Sequence, residues 1–269
     1  MFNVNFNFMN NYKITKNYTF HLWDFNRDID ETNLKNIKES IERSGLLQPI
    51  KVVKRNGHFY VFDGQHRYLA CRELNIPVKY VIEDNVDLFS MLELNNHSKL
   101  MNSWDIIKVL AIGTENITFK KTYDLAKWMV SNTTSYNKLS LTNAVELLHV
   151  SGNPKGLLRK ITDANKLNRF NIDSVRAKNI FECLNIIADY SNNTKGNLMT
   201  AYYIRGFKKI YNDYGKLNTE VIKHISNDIH LPSNLKNQSM VYEFFNKLYD
   251  KHKNQKRFYT KKPKHRINE

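Results

Sequence analysis

The stretch VFDGQHRYLACREL, residues 61–74, places the strongest constraint on the fold of this chain. It predicts a strand that ends at Phe62, a tight turn at Gly64 and a helix that follows at once. Glycine permits the sharp turn and leaves no Cβ in the path of a ligand. The first amides of the helix lack intrahelical acceptors, and Arg67 adds a permanently charged forked donor. The stretch therefore predicts an anion-binding site suited to the phosphates of a nucleotide.

Two other side chains of this turn carry chemistry. His66 supplies a further donor whose charge depends on pH. Asp63 is an acid beside an anion site, so phosphate binding alone does not explain it. Asp63 could hold a metal ion together with the phosphates, act as a catalytic base, or cap the helix. On spacing alone the cap is the most frequent role of such an aspartate.

The residues on either side of the turn predict a small α/β domain. Phe2 to Phe8 alternate with Asn and predict a strand or hairpin, and a second strand is expected over residues 18–23. A helix capped by Asp30 or Thr32 should end at Gly45. Asn56-Gly57 then predicts a hairpin turn between two apolar runs, and another strand follows Pro77.

Residues beyond Ser90 predict helices and no convincing strand. The expected fold is therefore α+β: a mixed domain over 1–86, a helical domain over 87–250 that could bind DNA, and a basic, flexible tail over 251–269. The helices are expected to start at Ser103 and near Thr122, and to cover 141–148, 173–190, 198–213, 218–226 and 239–250.

The charge of the chain favours a polyanionic partner. Lys and Arg total 41 against 26 acids, a net charge of +15. A compositional bias towards Asn, Lys, Ile and Tyr is the alternative explanation. Residues 251–266 hold eight Lys or Arg and no acid. With Phe258 and Tyr259 among them, the tail predicts nucleic-acid contacts, although a solvated tail has the same composition. The expected contacts are Lys256, Arg257, Lys261 and Lys262.

Other classes of protein are excluded by composition. Cys71 and Cys183 lie far apart and form neither a disulfide framework nor a zinc pattern. No run of about 18 apolar residues is present, and the N-terminus lacks the pattern of a signal peptide. We therefore expect a cytoplasmic protein with no membrane partner.

The order of these elements resembles the N-terminal domain of the ParB/sulfiredoxin superfamily, specifically its ParB-like, often nuclease-labelled, branch. The similarity spans residues 18–105 and rests on five matching motifs. These are Asn26-Arg27, Ser40-Ile41, Gly45, Gln48-Pro49-Ile50 and the Gly-x-x-Arg turn at Gly64–Arg67. A looser match of the segment after the domain is to ParB-like proteins of phages and mobile elements.

The resemblance implies a bound nucleotide, CTP or another nucleoside triphosphate, with Mg²⁺. Gly64, Gln65, His66 and Arg67 would contact its phosphates, Gln48 and Pro49 would flank it, and Arg27 would reach it. ParB itself has Glu-Arg where this chain has Gln65-His66, which leaves the base open. Sulfiredoxin has its catalytic Cys at the position of Gln65, which excludes its reaction, and Cys71 is expected to be a packing residue.

Two further features follow from the resemblance. Asn96 falls where ParB has a magnesium-binding Asn, although an ordinary loop amide fits the position as well. ParB also has a helix-turn-helix after this domain, and residues 122–148 offer two amphipathic segments whose linker is longer than the usual turn. Trp128 in this region is expected to lie in the core.

The favoured function is a nucleotide-switched DNA-binding protein. An enzyme of the same fold is the alternative, either a nuclease or a phosphotransferase like the superfamily's serine kinases, which would make Asp63 catalytic. A protein-interaction module that has lost nucleotide binding is a third. The expected partners are DNA and a nucleotide, and a homodimer is an assembly that the sequence leaves open.

Overall fold

The computed structural model describes residues 12–24, 26–84, 86–98, 101–134, 137–151, 153–190, 197–228, 230–232 and 235–254. The chain divides into two compact units. The first comprises Met1–Met101, Lys108–Glu115 and Ile161–Lys166, and the second comprises Asn102–Ile107, Asn116–Lys160 and Leu167–Glu269. The first unit thus runs beyond residue 86, where the sequence predicted a boundary. The predicted N-terminal hairpin lies outside the described residues, and so does the predicted tail from residue 255 onwards, whereas residues 251 and 252 still belong to a helix.

A five-stranded mixed sheet forms the centre of the first unit. The strands are β1 (Lys13–Thr15), β2 (His21–Leu22), β3 (Ile50–Arg55), β4 (His58–Asp63) and β5 (Val78–Ile82). Their order in the sheet is β1-β5-β3-β4-β2, with antiparallel β1/β5 and β3/β4 pairs and parallel β3/β5 and β2/β4 pairs. The strand expected over residues 18–23 is therefore only two residues long.

The hairpin between β3 and β4 turns at the predicted dipeptide. Asn56 and Gly57 have φ values of 49° and 82°, as expected for a two-residue hairpin turn. Alternate residues of the strands enter one apolar core, which buries Ile50, Val52 and Val61 completely. This alternation is what a sheet with one face on a core requires.

Two helices cover the core face of the sheet. α1 (Glu31–Ser44) begins at Asp30, whose carboxylate accepts from the Asn33 amide at 3.0 Å, and ends at Gly45 with φ 70°. The sequence left Asp30 and Thr32 as alternative caps, and the structure selects Asp30. α2 (Gln65–Glu73) starts directly after β4, and its buried Cys71 belongs to the core, as predicted.

Of the next two helices, the sequence predicted the second and missed the first. α3 (Leu88–Ser98) packs next to β4; no helix was predicted there, and Asn96 within it was interpreted as a possible loop amide. Asp87 marks the start of α3, because its carboxylate accepts from the amide and the hydroxyl of Ser90 at 2.7 and 2.6 Å. These hydrogen bonds lower the pKa of Asp87. α4 (Ser103–Gly113) starts at the residue that the sequence predicted.

The remaining helices belong mostly to the second unit, where α9 packs on α11, α8 on α10 and α5 on α6. No strand follows β5 among the described residues; one isolated bridge joins His149 and Ile172. The predicted α+β fold class is confirmed. The helices are α5 (Ile117–Ser131), α6 (Leu141–Leu148), α7 (Pro154–Leu158), α8 (Ser174–Tyr190), α9 (Ala201–Tyr214), α10 (Thr219–Asp228) and α11 (Gln238–His252), with a 3₁₀ helix at Ala164–Arg169.

Candidate anion-binding site

The turn between β4 and α2 depends on Gly64. Its φ of 91° lies in the left-handed region, which side chains with a Cβ rarely adopt. A Cβ on Gly64 would also lie 2.8 Å from both Nε and Nη2 of Arg67 and 3.0 Å from Ile50 Cγ2. The absence of a side chain therefore lets the guanidinium of Arg67 lie directly against the backbone of the turn.

Arg67 is fixed by two polar side chains. Its Nη1 donates to Gln48 Oε1 at 2.8 Å, and its Nη2 donates to Asp63 Oδ2 at 2.9 Å. Its Nε is buried and has no hydrogen-bond partner among the described residues. An unsatisfied buried donor costs about 1–3 kcal/mol, and an added acceptor would recover part of that cost. The structure thus brings together Gln48, Gly64 and Arg67, and their role in nucleotide binding stays a prediction.

Asp63 is the ion-pair partner of Arg67. The pair joins the last residue of β4 to the first turn of α2, and the Arg67 and Asp63 side chains are 22% and 36% exposed. Asp63 does not cap α2, because the cap is Gly64 and no side chain accepts from the helix amides there. The role that spacing alone favoured for Asp63 is therefore wrong. Its carboxylate instead occupies one side of the guanidinium that would receive a phosphate.

Gln65 and His66 connect this turn to the segment before α1. Gln65 Nε2 donates to the carbonyl of Arg27 at 3.0 Å, and the Asp30 amide donates to His66 Nε2 at 3.1 Å. A neutral His66 that accepts through Nε2 carries its proton on Nδ1. Gln65 Oε1 is buried without a hydrogen-bond partner among the described residues. The first turn of α2 is thus held in place by its polar side chains.

Lys108 of α4 also holds this segment, a role that no sequence pattern predicted. Its Nζ donates to the carbonyl of Asn26 at 3.0 Å and to Asp28 Oδ1 at 2.7 Å. The side chain of Lys108 is only 14% exposed. No local pattern could reveal this role, because Lys108 lies 80 residues from Asp28 in sequence. Arg27 and Pro49 are half-buried within the two segments that flank the turn.

The remaining predicted site residues are not brought to this turn by any described contact. Asn96 lies within α3 rather than in a loop, and its side chain is outside the described residues. Lys256, Arg257, Lys261 and Lys262 also lie outside them. Within the described part of the chain, no three His, Cys, Asp or Glu side chains are grouped so that they could hold a metal ion.

The two segments expected to form a helix-turn-helix are α5 and α6. They pack together, and nine residues, 132–140, separate them. No residue of α6 is exposed, and Ala144, Val145, Leu147 and Leu148 are completely buried. A recognition helix presents side chains to a DNA groove, and α6 offers only the half-buried Leu141, Thr142 and Asn143 at its N-terminus.

The sheet, the Gly-x-x-Arg turn and the helix that follows it define a domain of the ParB/sulfiredoxin superfamily. Within the chain, residues 23–94 match the sequence profile of the ParB N-terminal domain. The predicted membership of the superfamily is thereby confirmed. The expected origin in a phage or mobile element stays a prediction.

Two curated proteins are similar to parts of the chain. The chloroplastic/mitochondrial sulfiredoxin of Arabidopsis thaliana is 39% identical over 51 residues, which are 19% of this chain and 41% of the sulfiredoxin. The "probable chromosome-partitioning protein ParB" of Helicobacter pylori is 23% identical over 134 residues, 49% of this chain and 46% of that protein. The chain thus matches less than half the length of either relative.

A solved structure is also similar to part of the chain. It is a C-terminally truncated chromosome-partitioning protein ParB from Caulobacter crescentus, complexed with CTP-gamma-S. The similarity has a TM-score of 0.25 and 14% sequence identity, and covers 56% of this chain and 99% of the other. In the described part of this chain, no helix combines the length and hydrophobicity needed to span a membrane.

Proposed function

We propose that this chain is a ParB-like DNA-binding protein that binds a nucleoside triphosphate at the Gly64–Arg67 turn. One observation carries the nucleotide site: a guanidinium lies against a glycine turn at the start of a nine-residue helix, with a buried donor nitrogen left unsatisfied. Phosphate oxygens are strong acceptors that match both the guanidinium and the first amides of a helix. CTP is the first candidate because the matched family is the ParB N-terminal domain.

The Asp63 carboxylate would compete with a phosphate for the guanidinium of Arg67. A phosphate that approaches Arg67 meets the Asp63 carboxylate, which already accepts from Nη2 at 2.9 Å. The phosphate must displace this carboxylate, or a cation must neutralise the repulsion between them. Mg²⁺ held by Asp63, phosphate oxygens and waters would serve this purpose. The ligand we propose is therefore a magnesium-bound triphosphate, with CTP, ATP, GTP and UTP as the candidates.

Isothermal titration of the full chain with each of these four triphosphates and Mg²⁺ tests the proposal. We expect measurable affinity for at least one nucleotide, and about tenfold or greater weakening in Arg67→Ala, because a charged hydrogen bond contributes about 1.5–3 kcal/mol. Arg43→Ala is the matched control, since Arg43 is an exposed arginine of α1 that donates to the Glu39 carbonyl. If none of the four nucleotides binds, the result would instead support a protein-interaction module that has lost nucleotide binding.

The same titration on Asp63→Asn separates a binding protein from an enzyme. If Asp63 is the counter-ion of Arg67, this variant should bind the free triphosphate more tightly and depend less on Mg²⁺. If Asp63 is catalytic, it should bind the nucleotide and lose turnover, measured as released phosphate or cleaved DNA. Unchanged affinity, Mg²⁺ dependence and turnover would show that Asp63 has neither role.

A further inference from the structure

An exposed tryptophan of the second unit lies beside one lysine, Lys178, and directly follows another, Lys127, in its helix. Trp128 of α5 was expected in the core, yet it is 47% exposed. The Nζ of Lys178 lies 5.4 Å from the centroid of its ring, and Phe181 of α8 contacts the ring at a centroid distance of 6.1 Å. One position before Trp128, the Nζ of Lys127 lies 5.2 Å from the Tyr123 ring. We call Tyr123, Lys127, Trp128, Lys178 and Phe181 the Trp128 surface.

The residues around the Trp128 surface extend it along both helices. Lys120 and Lys121 lie about two turns before Lys127 and Trp128 in α5, and both are exposed. Val175 of α8 is 67% exposed and precedes Lys178 by three positions, so that it lies on the same side of that helix. The acids among these exposed positions are Asp124 and Glu182. Cations therefore outnumber acids around an exposed apolar ring.

Packing accounts for only part of this arrangement. The Trp104 ring stacks on Tyr123 at 4.9 Å and is 7% exposed, so the second unit does bury a tryptophan where one contributes to its core. Trp128 keeps nearly half of its surface exposed, whereas tryptophan is on average highly buried. Tryptophan beside lysines is the combination by which proteins bind unpaired bases together with their phosphates.

We propose that the Trp128 surface binds single-stranded nucleic acid. An unpaired base would stack on the exposed part of the Trp128 ring, and Lys127 and Lys178 would contact the phosphates on either side. Bases within a duplex are already stacked and are unavailable to such a ring, so a single strand fits better. The inference deepens the proposed DNA binding, for which the mostly buried α6 offers little surface. It does not depend on the nucleotide turn.

Fluorescence anisotropy of a labelled oligothymidylate of about 20 nucleotides tests this inference in the full chain. Loss of one stacked base should weaken binding by about 5- to 150-fold in Trp128→Ala, the equivalent of about 1–3 kcal/mol. Trp128→Phe should recover most of the affinity, because it keeps an aromatic face. The affinity for a duplex of matched length should be unchanged by both substitutions.

A double variant, Lys127→Ala with Lys178→Ala, tests the contribution of the two lysines while the Trp128 ring is retained. It should lower the slope of log K against log salt by up to about 1.4, for two contacts to a single strand. Lys209→Ala is the matched control, since its Nζ lies 3.8 Å from the Tyr242 ring on another pair of helices. Polyglutamate, a polyanion without bases, is the competitor that distinguishes binding by base stacking from binding by charge alone.

Three results would overturn the inference: unchanged affinity in a folded Trp128→Ala, equal losses in the Lys209 control, or displacement of the oligonucleotide by polyglutamate at equal charge. None of them involves Arg67. A failure of nucleotide binding and a failure at the Trp128 surface are therefore measured separately.

Discussion

Gly64 and Gly45 separate the two reasons for which a glycine can be required. Both have positive φ, 91° and 70°, but only Gly64 has a neighbour where a Cβ would lie, the Arg67 guanidinium. Alanine at either position should reduce the free energy of unfolding by about 1–2 kcal/mol through backbone strain. Gly64→Ala should in addition displace Arg67 and abolish nucleotide binding, whereas Gly45→Ala should leave it intact. Urea unfolding and nucleotide titration measure the two effects, and intact nucleotide binding in Gly64→Ala would contradict the assignment.

The residues of the site could be predicted to the extent that their roles are local. Gly64 and Arg67 belong to one turn, and a strand that ends before a helix defines that turn without further knowledge of the fold. The pairing of Asp63 with Arg67 was missed because spacing could not distinguish a cap from an ion pair. Lys108 was missed because only the folded chain brings α4 to the segment before α1.

Elements with strong end signals were located within a residue or two. α1 has an aspartate at its start and a glycine at its end, and the β3–β4 hairpin has Asn56-Gly57. α3 was overlooked because its Asn-rich end resembles a loop, although Asp87 marks its start. The burial of α6 could not be predicted, because it results from packing against helices distant in sequence.

A buried lysine of α9, which donates to carbonyls at the C-terminus of α6, should make stability depend on pH. Lys208 Nζ donates to the Glu146 carbonyl and, at 2.7 Å, to the His149 carbonyl. Burial, reinforced by Arg176, lowers the pKa of Lys208 from 10.5 to about 7. A neutral amine still has two N–H groups for these two carbonyls. Between the two pKa values the unfolded chain binds a proton that the folded chain does not.

The free energy of unfolding should therefore rise with pH above about pH 7, by at most about 1.4 kcal/mol per pH unit from this lysine, and the contribution should be lost as pH falls to about 7. Lys208→Met keeps the apolar chain and should remove this part of the slope. Urea unfolding at several pH values from about 6 to about 9 measures it. Lys209→Met, an exposed neighbour in α9, should keep the wild-type slope. Equal slopes in wild type and Lys208→Met would refute the assignment.

The C-terminal residues carry a large share of the charge of the whole molecule. Residues 251–269 contribute eight cations and one acid to the net charge of +15. The ParB N-terminal domain occupies only residues 23–94, so nucleic-acid contacts can come from the second unit, from the tail or from both. Each phosphate contact contributes about 0.7 to the salt slope on a single strand and about 0.9 on a duplex. The number of phosphate contacts from the tail can therefore be measured.

Removal of residues 255–269, which include Lys256, Arg257, Lys261 and Lys262, should weaken binding to duplex and single strand alike. If these four residues each contact a phosphate, the salt slope on duplex DNA should fall by about 3.6. The contribution of Trp128 to single-strand binding should persist in the truncated chain, because it comes from stacking on a residue that the truncation leaves in place. Anisotropy titrations over a range of salt concentrations measure both quantities. An unchanged slope after truncation would show that the tail is solvated and leaves nucleic-acid binding to the helical surface.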